Sequence, residues 1–395
     1  MEQAYDELIR WATDQGVELH GIASKRIPGR GMGMVATQDI KANERLLLVP
    51  ISCLRGIENV PPEIKNAFPK DAKVHGILAA ELALEEKATS SSSESSYAAS
   101  VASKKKYAAW NAVVPASEDI SDSLPLTWDP QLHDYLPGAA LSLLRGQEIK
   151  FTRDWELFQK CIPATKWRFI TKDDYKYHWL LVNTRTFYHV NPRTAKRPDE
   201  DHMVLLPVAD LFNHADHGCE FAWSGGSCTF TANRDYAEGE EVYFSYGHHS
   251  NDFLLVEYGF VLDENEWDAV NIDDAVLAEM TNEQKEHLEA NGYLGSYILD
   301  ERTPGCYRTQ VALRLLCCPF EQWESFLEEG EDEDERVQEN VNRLLQTILR
   351  KFLEKVNRNI KGLQNLKVGR DCQREMLLLR WRQIYELVTR TIAKL

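Results

Sequence analysis

Strand-length runs occur in this chain in two groups far apart in sequence, and helical patterning fills most of the rest. The first group holds Arg30-Gly-Met-Gly-Met-Val-Ala36, a polar turn at Asp39–Glu44, and Leu46–Pro50, an apolar run stopped by a proline. These read as two strands joined by a turn. The second group comprises Val204–Val208, Glu220–Trp223, Cys228–Ala232 and Val242–Tyr246. Between the groups the pattern is helical and irregular, with segments such as Val74–Leu84 and Leu141–Ile149, and Tyr175–Phe187 is expected to be a helix presenting Trp179, Val182 and Phe187. From Asp274 onward the pattern is almost wholly helical. Val337, Val341, Leu344, Leu345, Ile348, Phe352 and Val356 form a stripe near the helical repeat, and Met376–Leu395 is similar. Tyr5, Leu8, Ile9, Trp11 and Ala12 mark a short amphipathic helix ended by Gly16. The chain is therefore expected to be of the α+β class.

Charge narrows the function classes. A formal net charge of −17 argues against binding a phosphate backbone, which needs a basic stripe to release counterions. The N-terminal segment carries acidic residues where an export signal has a basic flank and an apolar stretch, so the eight cysteines are expected to stay reduced. Apolar runs such as Met376–Leu379 are far shorter than the roughly 20 residues that span a bilayer. A soluble, cytoplasmic protein is expected, with the nucleus as a second compartment, monomeric and without membrane or nucleic-acid partners. Two polar tracts read as solvated segments: the serine-dominated stretch 88–106, a disordered loop, and the acidic Glu328–Glu335, a linker.

Three clusters have chemistry to offer. Gly31-Met-Gly-Met-Val-Ala36 matches the dinucleotide fingerprint formally, but it follows Lys25-Arg-Ile-Pro-Gly29 and leads to a polar turn, where that fingerprint needs an apolar strand before it and a helix after it. Glycines there can still let a ligand lie against main-chain amides, or merely build a hairpin. Leu206–His214 is an apolar strand ending in Asn213 and His214, which both donate and accept hydrogen bonds and suit an adenine or an amino-acid group. His214, His217, Cys219 and Cys228 invite a zinc proposal, yet the spacing H-x2-H-x-C-x8-C is not a usual ligand pattern, so no metal is expected. In Glu240–Gly247, tyrosines alternate with apolar residues; they are strand packing, or the wall of a narrow channel whose ring faces attract a cation.

Taken in order, RGMGMVA, VNTRTF, LLPVADLFNHADH, EEVYFSYG and LVEYGFV resemble the SET-domain protein methyltransferases. The resemblance is greatest to the branch typified by the plant Rubisco large-subunit lysine methyltransferase. It implies a β-rich SET fold with a pseudoknot, split by a helical insert and followed by an all-α substrate-binding domain. The boundaries it implies are an N-terminal helix at 1–17, SET parts at 18–60 and 173–268, the insert at 61–172 and the helical domain at 269–395.

The same resemblance implies S-adenosylmethionine as cofactor, S-adenosylhomocysteine as product, and a protein substrate presenting a lysine. Ribosomal proteins and translation factors are the implied substrate class. Arg30, Gly31 and Met32 would lie against the cofactor through their main chain, Arg185 near its carboxylate, and Asn213 and His214 would bind it. Tyr246 matches the active-site tyrosine. Tyr258 and Phe260 match aromatic positions around cofactor and substrate channel, and Asp210 is implied on the substrate side. The cysteine-rich element that follows the Tyr-Gly motif in histone-type members is missing, since no cysteine follows Gly247 until Cys306. Three rivals stay open: a histidine acceptor, a non-catalytic binding module of the same fold, and a metal-dependent hydrolase.

Overall fold

The computed structural model describes residues 2–87, 106–192, 194–330 and 335–395. The serine tract expected to be disordered, apart from Lys106, lies outside them, as does 331–334 of the acidic stretch. The chain divides into two compact units, one of Met1–Ile120 and Gly146–His248, the other of Ser121–Arg145 and His249–Leu395. The helical segment 61–172 thus contributes to both.

The first unit is built on two small antiparallel sheets. One has the order β1-β4-β8-β7, with β1 at Glu18–Leu19, β4 at Arg45–Pro50, β7 at Glu220–Ser224 and β8 at Ser227–Thr231. The other has the order β2-β3-β9, with β2 at Ile22–Ile27, β3 at Gly31–Ala36 and β9 at Glu241–Val242. A further pair joins β5, Thr186–Tyr188, to β6, Met203–Leu205. Leu46, Leu47, Val49 and Phe230 from the first sheet and Met34 and Val242 from the second are fully buried, and in β3 the run Met34–Ala36 is buried on both faces.

Several expectations change here. The runs Arg30–Ala36 and Leu46–Pro50 are strands, but they do not pair with each other. β3 pairs instead with β2 from Ile22↔Ala36 to Ile27↔Gly31. The sequence pattern does not disclose β2, because Ser24, Lys25 and Arg26 break its apolar run, which an edge strand tolerates. The helix Lys172–Arg185 ends two residues early, and Phe187 sits in β5. Thr186, β-branched and extended at φ −89° and ψ 149°, makes that switch.

Val204–Val208 is a strand only to Leu205, because Val208 takes φ +75° and turns the chain into a short 3-10 helix at Ala209–Leu211. Val242–Tyr246 keeps ladder pairing only at Glu241 and Val242. Beyond them the Phe244 N–H donates to the Asn213 carbonyl at 2.9 Å and the Cys219 N–H to the Tyr243 carbonyl at 2.7 Å. The stretch 241–244 therefore passes between β3 and the segment 213–219.

The second unit is mainly helical. The long helices Glu335–Asn365 and Asp371–Lys394 pack on each other. Of the expected stripe, Val341, Leu345, Ile348 and Val356 are fully buried. Arg380, buried, donates to Asp252 at 2.7 Å and Asp268 at 2.6 Å, which ties the last helix to the segment after His249. A strand pair the sequence pattern did not reveal, β10 at Ala269–Asn271 and β11 at Ile298–Asp300, interrupts the helices. No helix among the described residues is long and apolar enough to cross a membrane.

Candidate active site

The site grows from three elements of the first unit. The first is the helix Lys172–Arg185, begun by a capping box in which Thr171 and Asp174 satisfy each other's backbone N–H groups. It buries Tyr175, Trp179 and Val182 and so fixes its last residue, Arg185. The Arg185 Nη1 donates to the Asp210 carbonyl at 2.8 Å and to Asp210 Oδ2 at 3.2 Å. Trp110 Nε1 donates to the same Oδ2 at 2.9 Å. Burial pushes the Asp210 carboxyl above its ordinary range, with Arg185 and Trp110 opposing. Arg185 Nε and Asp210 Oδ1 remain buried without a hydrogen-bond partner among the described residues, as polar atoms reserved for a ligand would.

The second element is the turn from Val208 to His214. A positive φ is a real outlier for a β-branched residue, and strain of this kind costs on the order of 1–3 kcal/mol. The bend places Asp210 toward Arg185 and leaves Asn213 beside β9. There Asn213 Nδ2 donates to Glu241 Oε1 at 2.8 Å. The other carboxylate oxygen, Oε2, accepts from the Tyr243 hydroxyl at 2.8 Å and from Arg30 Nη1 at 3.3 Å, and Arg30 also donates to the Tyr243 oxygen at 2.7 Å.

The third element is the glycine-rich hairpin. Arg30 closes its turn with an N–H donated to the Ile27 carbonyl at 3.1 Å, so that amide is already used, and its side chain joins the carboxylate network. Gly31 opens β3 at φ +76°, a conformation that side chains rarely take, while Met32 pairs with Arg26. Gly33 is required for a different reason. A Cβ there would stand 2.7 Å from Glu241 Oε1 and 2.9 Å from Asn213 Nδ2, so the missing methyl makes room for that pair.

His214 and Tyr246 form the remaining contact. Their rings stack with centroids 5.0 Å apart, and the Tyr246 N–H donates to His214 Nδ1 at 3.0 Å. The accepting Nδ1 leaves the neutral ring's proton on Nε2. The Tyr246 hydroxyl donates to the Phe212 carbonyl at 2.6 Å. Its proton is committed to that carbonyl. Phe244, 6.3 Å from Tyr246, and Phe187, 5.7 Å from Phe244, continue the aromatic surface.

Arg30, Gly31, Met32, Arg185, Asp210, Asn213, His214 and Tyr246 thus all belong to the first unit. Tyr258 and Phe260 belong to the second, where Tyr258 neighbours His249 and Phe253 and burial pushes its hydroxyl up to about 12. Burial likewise pushes the Cys219 and Cys228 thiols up to about 12. No group of three or more His, Cys, Asp or Glu placed to hold a metal ion occurs among the described residues. Glu241 and Trp110 have no assigned role in the sequence, and Tyr243, read there as strand packing or channel wall, instead bonds to Glu241. A signal existed for Glu241 and Tyr243: they lie two apart, the spacing that puts strand residues on one face.

The SET domain family model matches residues 31–247, more than half of the chain, and the model described as the ribosomal lysine N-methyltransferase 2 C-terminal domain matches 268–394. Ribosomal lysine N-methyltransferase set11 of Schizosaccharomyces pombe is 26% identical over 61% of this chain and 64% of its own length. The actin-histidine N-methyltransferase of Gallus gallus is 26% identical over 68% of this chain and 44% of its own. This chain thus spans less than two thirds of these relatives. The crystal structure of the SET domain of LSMT bound to lysine and AdoHcy superposes with a TM-score of 0.63 at 18% identity, covering 100% of this chain and 91% of that one. With the fold, the ordered motifs and the family match in agreement, the chain belongs to the SET-domain family.

Proposed function

We propose that this chain is an S-adenosylmethionine-dependent protein-lysine N-methyltransferase acting on a non-histone protein, of the ribosomal-protein or translation-factor class. The observation that carries the proposal is the grouping of Arg185, Asn213, His214 and Tyr246 around a single turn, with the Tyr246 hydroxyl already bound to the Phe212 carbonyl at 2.6 Å. The relatives named as ribosomal lysine methyltransferases support the substrate class.

The residues present fit the cofactor. Arg185 has a buried Nε without a partner, beside the Nη1 held by Asp210, so its fork suits a carboxylate. Arg30, Gly31 and Met32 line the hairpin over which a nucleoside chain can lie, and Asn213 and His214 offer an amide oxygen and a ring. When bound, S-adenosylmethionine supplies an electrophilic methyl group on a sulfonium, and S-adenosylhomocysteine is what leaves.

The chain's own residues align the acceptor. A lysine must arrive neutral, and an aromatic surface such as Phe187, Phe244 and Tyr246 disfavours the ammonium form, lowering a pKa of roughly 10.4 in water. The Tyr246 oxygen, its proton turned to Phe212, accepts from the amine and orients its lone pair for an in-line attack. Asp210, held by Arg185 and Trp110, is the proposed substrate-side carboxylate. The roles of Tyr258 and Phe260 rest on their motif alone. The helical region 269–395 carries the docking surface for the substrate protein, and the enzyme works as a monomer in the cytoplasm, with the nucleus as a second compartment, without metal or nucleic acid.

Labelled S-adenosylmethionine, added with this protein to extract of cells that lack it, tests the reading. A labelled band whose modified residue is lysine supports it. A methylated histidine moves the enzyme to the other acceptor, and cofactor binding without any labelled protein makes the chain a binding module. Metal in stoichiometric amount in the purified protein would favour the hydrolase.

A further inference from the structure

Glu241 is a carboxylate with 11% of its side chain exposed, set between the glycine strand and the turn that carries Asn213. Each of its oxygens is occupied by donors. Oε1 accepts from Asn213 Nδ2, and Oε2 accepts from Tyr243 and Arg30. Burial, followed by the bond to Glu241 itself, pushes the Tyr243 hydroxyl above its ordinary pKa, so it stays a donor.

A carboxamide is nearly symmetrical in shape and opposite in function at its two ends, so what decides its orientation is the chemistry of its neighbours. A carboxylate can only accept. Facing Glu241, Asn213 must therefore turn its NH2 inward, and its Oδ1 is left on the far side as an acceptor. Gly33 closes the remaining side, for a Cβ there would meet both Glu241 Oε1 and Asn213 Nδ2 inside 3.0 Å.

We infer that Glu241 is a positioning residue that locks the Asn213 amide with its oxygen toward the ligand, so that the site selects a cofactor presenting an ammonium group. The inference rests on the methyltransferase reading above and deepens it: this pair reads the amino group of the cofactor's methionine end. Arg30 gains a side-chain role, as a donor to the Glu241 carboxylate.

Calorimetric titration of the full chain with two ligands tests it. S-adenosylhomocysteine carries the amino group, and 5′-methylthioadenosine has the same nucleoside and sulfur without it. Glu241→Gln keeps the shape but can donate or accept, which frees the Asn213 amide to flip. The expected result is an affinity for S-adenosylhomocysteine lowered by about tenfold or more, with that for methylthioadenosine changed less than about twofold. Asn213→Asp should do the same by opposing two carboxylates. Combining the two changes restores a donor facing an acceptor with an oxygen still outward, so affinity should recover to well above either single variant. The lock is overturned if both ligands weaken together, if neither weakens, or if the double variant is as weak as the singles. A purely structural role predicts the first of these. If the unaltered protein binds neither ligand, the cofactor reading itself falls and takes this one with it.

Discussion

The hydroxyl of Tyr246 donates to the carbonyl oxygen of Phe212 across 2.6 Å, which ties the tyrosine to the residue immediately before Asn213. One bond thus sets both the aim of the tyrosine oxygen and the position of the turn that carries Asn213 and His214. Tyr246→Phe removes the oxygen and keeps the ring stacked on His214. Turnover should fall by a factor of about 100 or more, the loss typical of one oriented polar group, while cofactor affinity is mostly retained. Steady-state rates and calorimetry on the same preparation check this, and near-normal turnover would contradict the role.

Asn213→Ala and His214→Ala act on the other side of that bond. Each should weaken S-adenosylmethionine binding, by about 1–3 kcal/mol where a buried polar group loses its partner. His214→Ala also removes the acceptor for the Tyr246 N–H. Calorimetry reads the effect directly. Unchanged affinity in both variants would detach this segment from the cofactor.

Gly33→Ala adds one methyl group where Glu241 and Asn213 already stand closer than van der Waals contact allows. Neither neighbour can move freely, since each is hydrogen-bonded to the other. Overpacking of this kind costs about 1–3 kcal/mol, so the melting temperature should drop and cofactor affinity with it. Gly31→Ala works by another route, strain at φ +76° with open space around the Cβ. A Gly33→Ala protein of unchanged affinity would show that the pair has room to shift.

His75 gives the first unit an acid-labile point. Its Nε2 bonds to the Trp179 carbonyl at 2.8 Å and its ring stacks on Trp179 at 4.1 Å. Burial lowers its pKa from 6.5 to about 4, with Lys150 and Arg153 adding to the effect and the carbonyl and Asp154 opposing. The unfolded chain takes up this proton before the folded one does. Stability is therefore complete above pH 6.5 and is lost as pH falls toward 4, with a slope approaching ~1.4 kcal/mol per pH unit. Urea unfolding of His75→Gln over that range should show a flatter dependence than the unaltered protein, and identical slopes would contradict the assignment.

What the sequence disclosed, and what it did not, follows from the range of the forces involved. The stripe from Val341 to Val356 was legible because helix packing repeats with the helix itself. The motifs around Gly31, Asn213 and Tyr246 were legible as an ordered set, although each alone suited a hairpin, a strand end or a packed strand. The partner of β3 was not legible, because Ser24–Arg26 make β2 polar and strand pairing is decided at a distance. Neither was the turn at Val208, where the surrounding structure imposes a conformation that valine avoids. Glu241 went unnoticed for a similar reason. A carboxylate beside another in Glu240-Glu241 looks like surface charge until Asn213, 28 positions away in the chain, is seen to donate to it.

The central claim is methyl transfer to a lysine by a site centred on Tyr246. Its most direct test is mass-spectrometric location of the methyl group after incubating the protein, labelled S-adenosylmethionine and an extract containing unmodified substrate. A labelled protein carrying methyl-lysine is expected, with the signal lost in Tyr246→Phe. Label appearing on another residue type, or persisting undiminished in that variant, would contradict it.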